Sequence, residues 1–223
     1  MILTMGKLAL GAAVNQIAGK YGHLSVAQTR GGLVIRSRPR YRRPVSPAMA
    51  GAAARMKQAS QTWAAISNAE AEAWNAYAAT LRHHNPLTGQ AYAPAGFNVF
   101  VGLATKVLQI TPEAEIPRTP PAQDFLGDQT TLTATSLPAA IRLTASGPNS
   151  EGTLTEILLQ RMVNIKRSIT KDFKTTAFVA FTTENPTHDF YVQSGAYAIA
   201  YRFVDPSTGQ ATLPQLVGKV EVG

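Results

Sequence analysis

The hydrophobic periodicity of this chain changes across one proline-rich segment, and that change limits the folds available to it. Before the segment, apolar residues recur at spacings of three and four, which favours helices; after it they alternate, which favours strands. Between Thr111 and Asp128, positions 112, 117, 120 and 121 are proline and no period is present. This composition predicts an extended, semi-rigid connector. We therefore expect an α+β multidomain protein with four parts: a glycine-rich hairpin and basic arm at 1–45, a helical domain at 46–110, the proline-rich linker at 111–128 and a β-sandwich at 129–223.

The part after the connector predicts an antiparallel β-sandwich. Its six strand-like runs, separated by turn residues, are Thr131–Ser136, Ala139–Ala145, Leu154–Val163, Phe173–Thr183, Phe190–Val204 and Ala211–Val222. Large apolar residues alternate with smaller ones from Tyr197 to Phe203, as in a strand with one face in a core. Regularly spaced strands without helices favour a fibronectin type III or immunoglobulin-like module. The chain has no cysteine, so the fibronectin type is favoured.

The stretch from residue 46 to residue 110 predicts three helices. Ser46 and Pro47 form a typical helix start, and the spacing of Ser67 and Glu70 is that of a capping box. The first helix is expected to end near Ile66, the second at Asn85-Pro86, and the third to span Phe97 to Ile110. The expected apolar stripes are Met49, Ala53, Met56, Ser60 and Trp63 on the first helix, Ala71, Trp74, Ala78 and Leu81 on the second, and Phe97, Phe100, Val101, Ala104 and Leu108 on the third. We expect a core of Trp63, Trp74, Phe97 and Phe100.

A run of arginines is the strongest functional signal. It follows a predicted hairpin at His23–Ser37, where Gly31 and Gly32 permit a tight turn. Pro39 and Pro44 then exclude a helix. Alternate residues of an extended chain share a face, and the candidate partner-binding residues are Arg36, Arg38, Arg40, Tyr41, Arg42 and Arg43.

Charge is distributed unevenly between the two halves. Residues 1–111 carry twelve Lys or Arg against two Glu, a net charge of +10, while residues 112–223 carry nine against eleven acids, a net charge of −2. A polycationic half predicts an acidic partner. The arginines could pair with carboxylates of a neighbouring subunit, follow the phosphate backbone of a nucleic acid, or form a solvated strand.

Residue patterns of known catalytic sites are missing from the sequence. Without cysteine there is no thiolate nucleophile or disulfide, and no phosphate loop or zinc-protease motif is present. His83 and His84 are neighbours, and on a helix such side chains point about 100° apart, so they are expected at a solvated helix end. Glu70 belongs to the predicted cap. We expect no enzymatic activity, no cofactor and no metal site.

No apolar run approaches the roughly 20 residues of a membrane-spanning helix, so no membrane partner is expected. The apolar patch from Leu8 to Val14 is interrupted by Gly11 and has few flanking charges. It therefore makes a poor signal peptide.

The order of motifs in residues 5–110 resembles a poorly characterised group of bacterial and phage proteins. These carry an "RSRP" segment, a helical Trp…Leu-Ser…Trp unit and a Gly-x-Asn-x-Phe helix; here the matching stretches are "VIRSRPRYRRPVSP", "WAAIS", "EAEAWNAYA" and "GFNVFVGL". Ile66 stands where leucine is expected. The fibronectin type III or immunoglobulin-like module suggested by "SGAYAIAYRFVDPSTGQ" is often appended to phage capsid, tail and decoration proteins.

This resemblance implies a structural component of a phage-like virion, assembled in the host cytoplasm, such as a capsid decoration, head–tail or tail-associated protein. The basic N-terminal half would dock on other virion proteins or on copies of the same chain, giving a homo-oligomer. The alternative is a nucleic-acid-binding protein with an appended protein-interaction module. The resemblance assigns no catalytic residue.

Overall fold

A computed structural model describes residues 5–8, 19–21, 24–29, 32–37, 46–84, 89–170 and 172–223. These residues form three helices and several antiparallel sheets, with the strands concentrated in the C-terminal half, so the predicted α+β class is confirmed. They group into two compact units. The first contains the described residues up to Gly102 together with Arg118–Pro120, and the second contains Leu103–Pro117 and Pro121–Gly223.

The N-terminal part of the first unit is a four-stranded antiparallel sheet. Its strands are β1 (Met5–Leu8), β2 (Gly19–Tyr21), β3 (Leu24–Thr29) and β4 (Gly32–Ser37), in the order β1-β4-β3-β2. Strands β3 and β4 form the hairpin that the sequence predicts, with Thr29 opposite Gly32 at its closed end. Strands β1 and β2 were not expected, because the sequence before residue 24 has no clear period.

Helices α1 (Pro47–Ala64) and α2 (Asn68–Thr80) begin where their caps predict. The Ser46 side chain accepts a hydrogen bond from the Met49 N–H, and Pro47 is the first helical residue. At the next helix, the Ser67 hydroxyl accepts from the Glu70 N–H, while the Glu70 carboxylate accepts from the Ser67 N–H at 2.6 Å. Both starts follow from local chemistry, since a cap satisfies backbone donors that have no partner inside the helix.

The predicted end of α2 is wrong. The helix stops at Thr80, and Arg82 donates to the carbonyl oxygen of Ala79. His83–His84 then forms β5, which pairs with β6 (Ala91–Tyr92) inside the segment that was expected to be a loop. The two histidines therefore lie on a strand and not at a helix end, because backbone pairing with β6 competes with further helical hydrogen bonds. Asn85 and Pro86 lie outside the described residues.

Aromatic rings form the core of the helical region, as predicted. Phe100, on α3 (Gly96–Ile110), is fully buried and lies 5.3 Å from the Trp63 ring and 5.2 Å from the Trp74 ring. Phe97 lies 5.7 Å from Trp63 but remains 40% exposed, so its predicted inward position is only partly correct. Of the predicted α2 stripe, Trp74 and Ala78 are buried and Ala71 is partly buried, whereas Leu81 lies just after the end of the helix.

Seven strands form the two sheets described in the second unit, where the sequence predicts six. They are β7 (Leu132–Leu137), β8 (Ala140–Ala145), β9 (Leu154–Met162), β10 (Lys174–Val179), β11 (Thr187–Tyr191), β12 (Gly195–Val204) and β13 (Gln215–Val222). One sheet has the order β11-β8-β7 and the other β10-β9-β12-β13. The predicted run Phe190–Val204 is divided between the two sheets. The division falls just before Gly195, whose φ of 144° suits glycine.

A single apolar core contains side chains from both of these sheets. The residues predicted to alternate on β12, Tyr197, Ile199, Tyr201 and Phe203, are all buried in it. They meet residues of the three-stranded sheet, among them Leu143 and Phe190. The neighbours Ala196, Ala198 and Ala200 on the opposite face of β12 are buried as well, so this strand is covered on both faces.

The proline-rich segment is held by hydrogen bonds within the first unit at Arg118. The Trp74 indole N–H donates to the Arg118 carbonyl oxygen at 2.7 Å, and the Arg118 guanidinium donates to the Ala65 carbonyl oxygen at 2.6 Å. Arg118 also lies 3.5 Å from the Glu70 carboxylate. These bonds give a residue of the predicted connector a fixed place beside the helices.

The burial of Phe100 yields a first prediction. Replacing Phe100 by alanine should lower the free energy of unfolding by about 3–5 kcal/mol, because it removes a buried ring and leaves a cavity. Phe97→Ala, one turn earlier on the same helix, serves as a matched control and should cost clearly less because Phe97 is already 40% exposed. Urea unfolding followed by tryptophan fluorescence measures both; equal losses would contradict the assigned core.

Candidate functional site

Among the candidate arginines, Arg36 is the one that the structure describes. It lies on β4 with an exposed side chain, opposite Ser25 of β3 and Met5 of β1. Its neighbours Leu33, which is buried, and Ile35 belong to the other face of the strand. Arg36 therefore lies on the exposed face of β4. Arg38, Arg40, Tyr41, Arg42 and Arg43 lie outside the described residues.

The sheet register adds two lysine positions to the same face. Lys20 pairs with Ser25, Ser25 pairs with Arg36, and the row continues to Met5. Lys7 follows Met5 by two residues on β1, so it shares that face as well. Strands β1 and β2 thus bring two more cationic positions into register with the start of the arginine run.

This basic region contains no acidic residue of its own. Residues 1–69 include ten Lys or Arg, and the first carboxylate in the chain is that of Glu70. Glu70 is already engaged by the Ser67 cap, whose hydrogen bonds lower the pKa of this carboxyl group below its usual value. Charge neutralisation of the region therefore requires counter-ions or carboxylates from outside residues 1–69.

Most of α1 is exposed to solvent. Met49 is 59% exposed and Met56 is 57% exposed, and Ala53 between them is also exposed. Of the predicted stripe, Ser60 and Trp63 are partly covered, and Ala59 is the buried residue of the helix. The spacing correctly places these residues on one face, but only the last turns of that face are packed. The first three turns leave an apolar face open beside Lys57, which is exposed too.

One buried carboxylate in the second unit was not anticipated from the sequence. Glu156, on β9, is fully buried and accepts hydrogen bonds from Lys106 at 2.8 Å, Arg202 at 2.7 Å and Thr175 at 2.5 Å. Burial opposes ionisation of this group, but the three donors outweigh it, so the pKa of Glu156 is lowered. A carboxylate held in its ionised form by two cations is a structural ion pair and a poor general base.

The described residues contain no group of three or more His, Asp or Glu that could hold a metal ion. His83 is exposed, and its ring lies 5.8 Å from that of Tyr92. Asp205 begins a turn and accepts hydrogen bonds from the N–H groups of Ser207 and Thr208. None of the helices in the described part of the chain is long and apolar enough to span a membrane.

Comparison of this chain with protein-family models and with curated proteins finds no match.

Sequence reasoning missed the two lysine positions and the Glu156 cluster for different reasons. Lys7 and Lys20 lie on short strands, whose alternation extends over only three or four residues. The partners of Glu156 are fifty, forty-six and nineteen residues away in the sequence, so no local pattern reports them. One usable signal was available: Glu156 directly precedes the apolar run Ile157–Leu159 of the predicted strand, and a charge beside such a run requires partners when it is buried.

The open face of α1 can be tested by substitution. Met49→Ser with Met56→Ser should change the free energy of unfolding by no more than about 0.5 kcal/mol, as expected for exposed sites. Ala59→Leu, on the same helix, should lower it by about 1–3 kcal/mol, because Ala59 is fully buried and a larger side chain overpacks a buried position. Thermal unfolding of the three proteins decides the matter, and a large loss in the methionine variant would show that the face is packed.

Glu156 should make stability depend on pH in a defined direction. Because its pKa is lowered from 4.5, its contribution is complete above about pH 4.5 and is lost as the pH falls through the folded-state pKa. Glu156→Gln should cost about 2–4 kcal/mol at neutral pH, and the difference from the parent should shrink in acid. Glu221→Gln, an exposed strand position, is the control. A difference that does not change with pH would contradict the ionised pair.

Proposed function

We propose that this chain is a non-enzymatic structural component of a phage-like virion, which docks on neighbouring protein subunits through its basic N-terminal half. The observation that carries the proposal is the set of ten cations in residues 1–69 without a single carboxylate. The resemblance of residues 5–110 to a group of bacterial and phage proteins supports placing this surface in a particle. Capsid decoration, head–tail and tail-associated positions all fit it.

The open face of α1 favours a protein over a nucleic acid as the partner. Exposed methionines next to cations suit an interface in which apolar contacts and ion pairs combine, and Met and Arg are enriched in such interfaces. A phosphate backbone would neutralise the charges but would leave Met49 and Met56 uncovered. The C-terminal half, with a net charge of −2, gives copies of the chain a partly complementary surface for one another.

The second unit is proposed to be a β-sandwich of the fibronectin type III kind. Its strand β10, between the third and fifth strands of the unit, pairs with β9 and not with β11. The fourth strand therefore belongs to the sheet of the third strand, which has four strands, and leaves three in the sheet of the first two strands. In a constant-type immunoglobulin domain the fourth strand instead joins the sheet of the first two strands, which then has four. The Tyr197 hydroxyl donates to the Gln193 carbonyl oxygen at 2.7 Å, four residues upstream, which supports the tyrosine corner typical of such modules.

The proposal predicts the mass of the protein in solution. By light scattering, the full chain should form defined oligomers or bind acidic virion subunits. A full-length variant with Arg36, Arg38, Arg40, Arg42 and Arg43 all changed to glutamine should be monomeric, because the ion pairs across the interface are lost. The matched control replaces the same five arginines by lysine, which keeps the charge but removes the bidentate fork.

The outcomes separate the two candidate functions. Association that survives in the lysine variant and is lost in the glutamine variant supports docking by charge. A chain that stays monomeric in every form, yet binds DNA or RNA with an affinity that falls steeply with salt, would make nucleic acid the partner and would overturn the structural role. Measurement at low and high salt provides this distinction directly.

A further inference from the structure

The C-terminal half conceals a local excess of positive charge. The segment from Arg161 to Lys174 contains five Lys or Arg and one acid, Asp172. Its net charge of +4 is hidden by the net charge of −2 of residues 112–223 as a whole. This segment comprises the end of β9, the loop that follows it and the first residue of β10.

The loop after β9 is packed onto the outer face of the sheet. Three apolar side chains of the loop contact a small buried cluster on β9 and β12; the loop residues are Ile165, Ile169 and Phe173, and the cluster consists of Met162, Ala196 and Ala198. The Lys219 ammonium donates to the carbonyl oxygens of Ile165 at 3.1 Å and Arg167 at 2.8 Å. The described part of the loop therefore has a defined conformation that places its polar side chains.

Between this loop and the end of β9 lies a cleft of about 360 Å³. Its lining includes the cations Arg161, Arg167 and Lys174, with Ser168 and Thr170 beside them. Asp172 is the one carboxylate in the lining, and its oxygen accepts a hydrogen bond from the Thr170 hydroxyl at 3.1 Å. Three cationic residues and one acidic residue therefore line the same open cleft.

The cations of the cleft retain free donors. Arg161 is oriented by bonds to the Gln193 side chain at 3.1 Å and to the Ser194 carbonyl oxygen at 3.4 Å, which engage part of its five N–H donors. In the described parts of the chain, neither Arg167 nor Lys174 forms an ion pair with a carboxylate. Guanidinium and ammonium groups are the donors that proteins use for tetrahedral oxyanions, and residues carrying three of them line this cleft.

We propose that this cleft binds a small ligand carrying a phosphate or sulfate ester on a sugar-sized body. The volume is at the lower end of the roughly 300–1,000 Å³ of small-molecule sites, which suits one or two saccharide units. Arg161, Arg167 and Lys174 would bind the ester oxygens, and the Ser168 hydroxyl would bind a neighbouring oxygen. The site does not involve the N-terminal basic region, so it is independent of the virion role.

Calorimetric titration of the full chain tests the site with defined probes: inorganic phosphate, inorganic sulfate, glucose 6-phosphate, a sulfated disaccharide and glucose. At least one of the two esters should bind saturably and more tightly than the inorganic ions, and glucose should not bind. The ester that binds more tightly identifies the source of the oxyanion. Arg167→Ala should weaken that binding about tenfold or more, the loss typical of a charge-assisted hydrogen bond.

Lys166→Ala is the matched control, since it removes a charge from the neighbouring residue, which does not line the cleft. It should change the affinity less than about threefold, as expected for an exposed charge. Both variants should unfold at the temperature of the parent, because both side chains are exposed. Equal losses in the two variants, or no saturable binding of any charged probe, would each overturn the proposal.

Discussion

The arrangement of the second unit depends on the ion pairs that the buried Glu156 carboxylate forms. An isolated charge in that position would cost several kcal/mol, so the cations that meet it must be delivered together with it. Lys106 comes from α3, Arg202 from β12, and Thr175 from β10. The two ion pairs and the hydrogen bond from Thr175 thus join three strands and a helix at one point on the face of the sheet opposite the main core.

Because of the Lys106–Glu156 ion pair, the net charge of residues 1–111 overstates the charge that is available to a partner. Lys106 contributes to the net charge of +10 of residues 1–111, but its ammonium is 2.8 Å from Glu156 and is not available to an outside partner. The cations of residues 1–69, in contrast, have no carboxylate in their own segment. The basic character of the N-terminal half is therefore concentrated toward its beginning.

Helix starts were predicted correctly because they depend on contacts within four residues, as the Ser46 and Ser67 caps illustrate. The end of α2 and the division of the Phe190–Val204 run were not, because both depend on pairing with strands elsewhere in the chain. The stripe of α1 shows another limit. Periodicity establishes which residues share a face, whereas the coverage of that face at Met49 and Met56 depends on neighbouring elements.

By itself, the sequence determined the helix caps, the β3–β4 hairpin, the alternation on β12 and the absence of acids before Glu70, since each is a property of adjacent residues. Only the tertiary structure decided which charges are paired and which are free. Ionic interactions depend on distance and burial, and these are fixed by packing between residues far apart in the chain. Lys106 and Glu156, fifty residues apart, neutralise each other, whereas Arg161, Arg167 and Lys174 line a cleft.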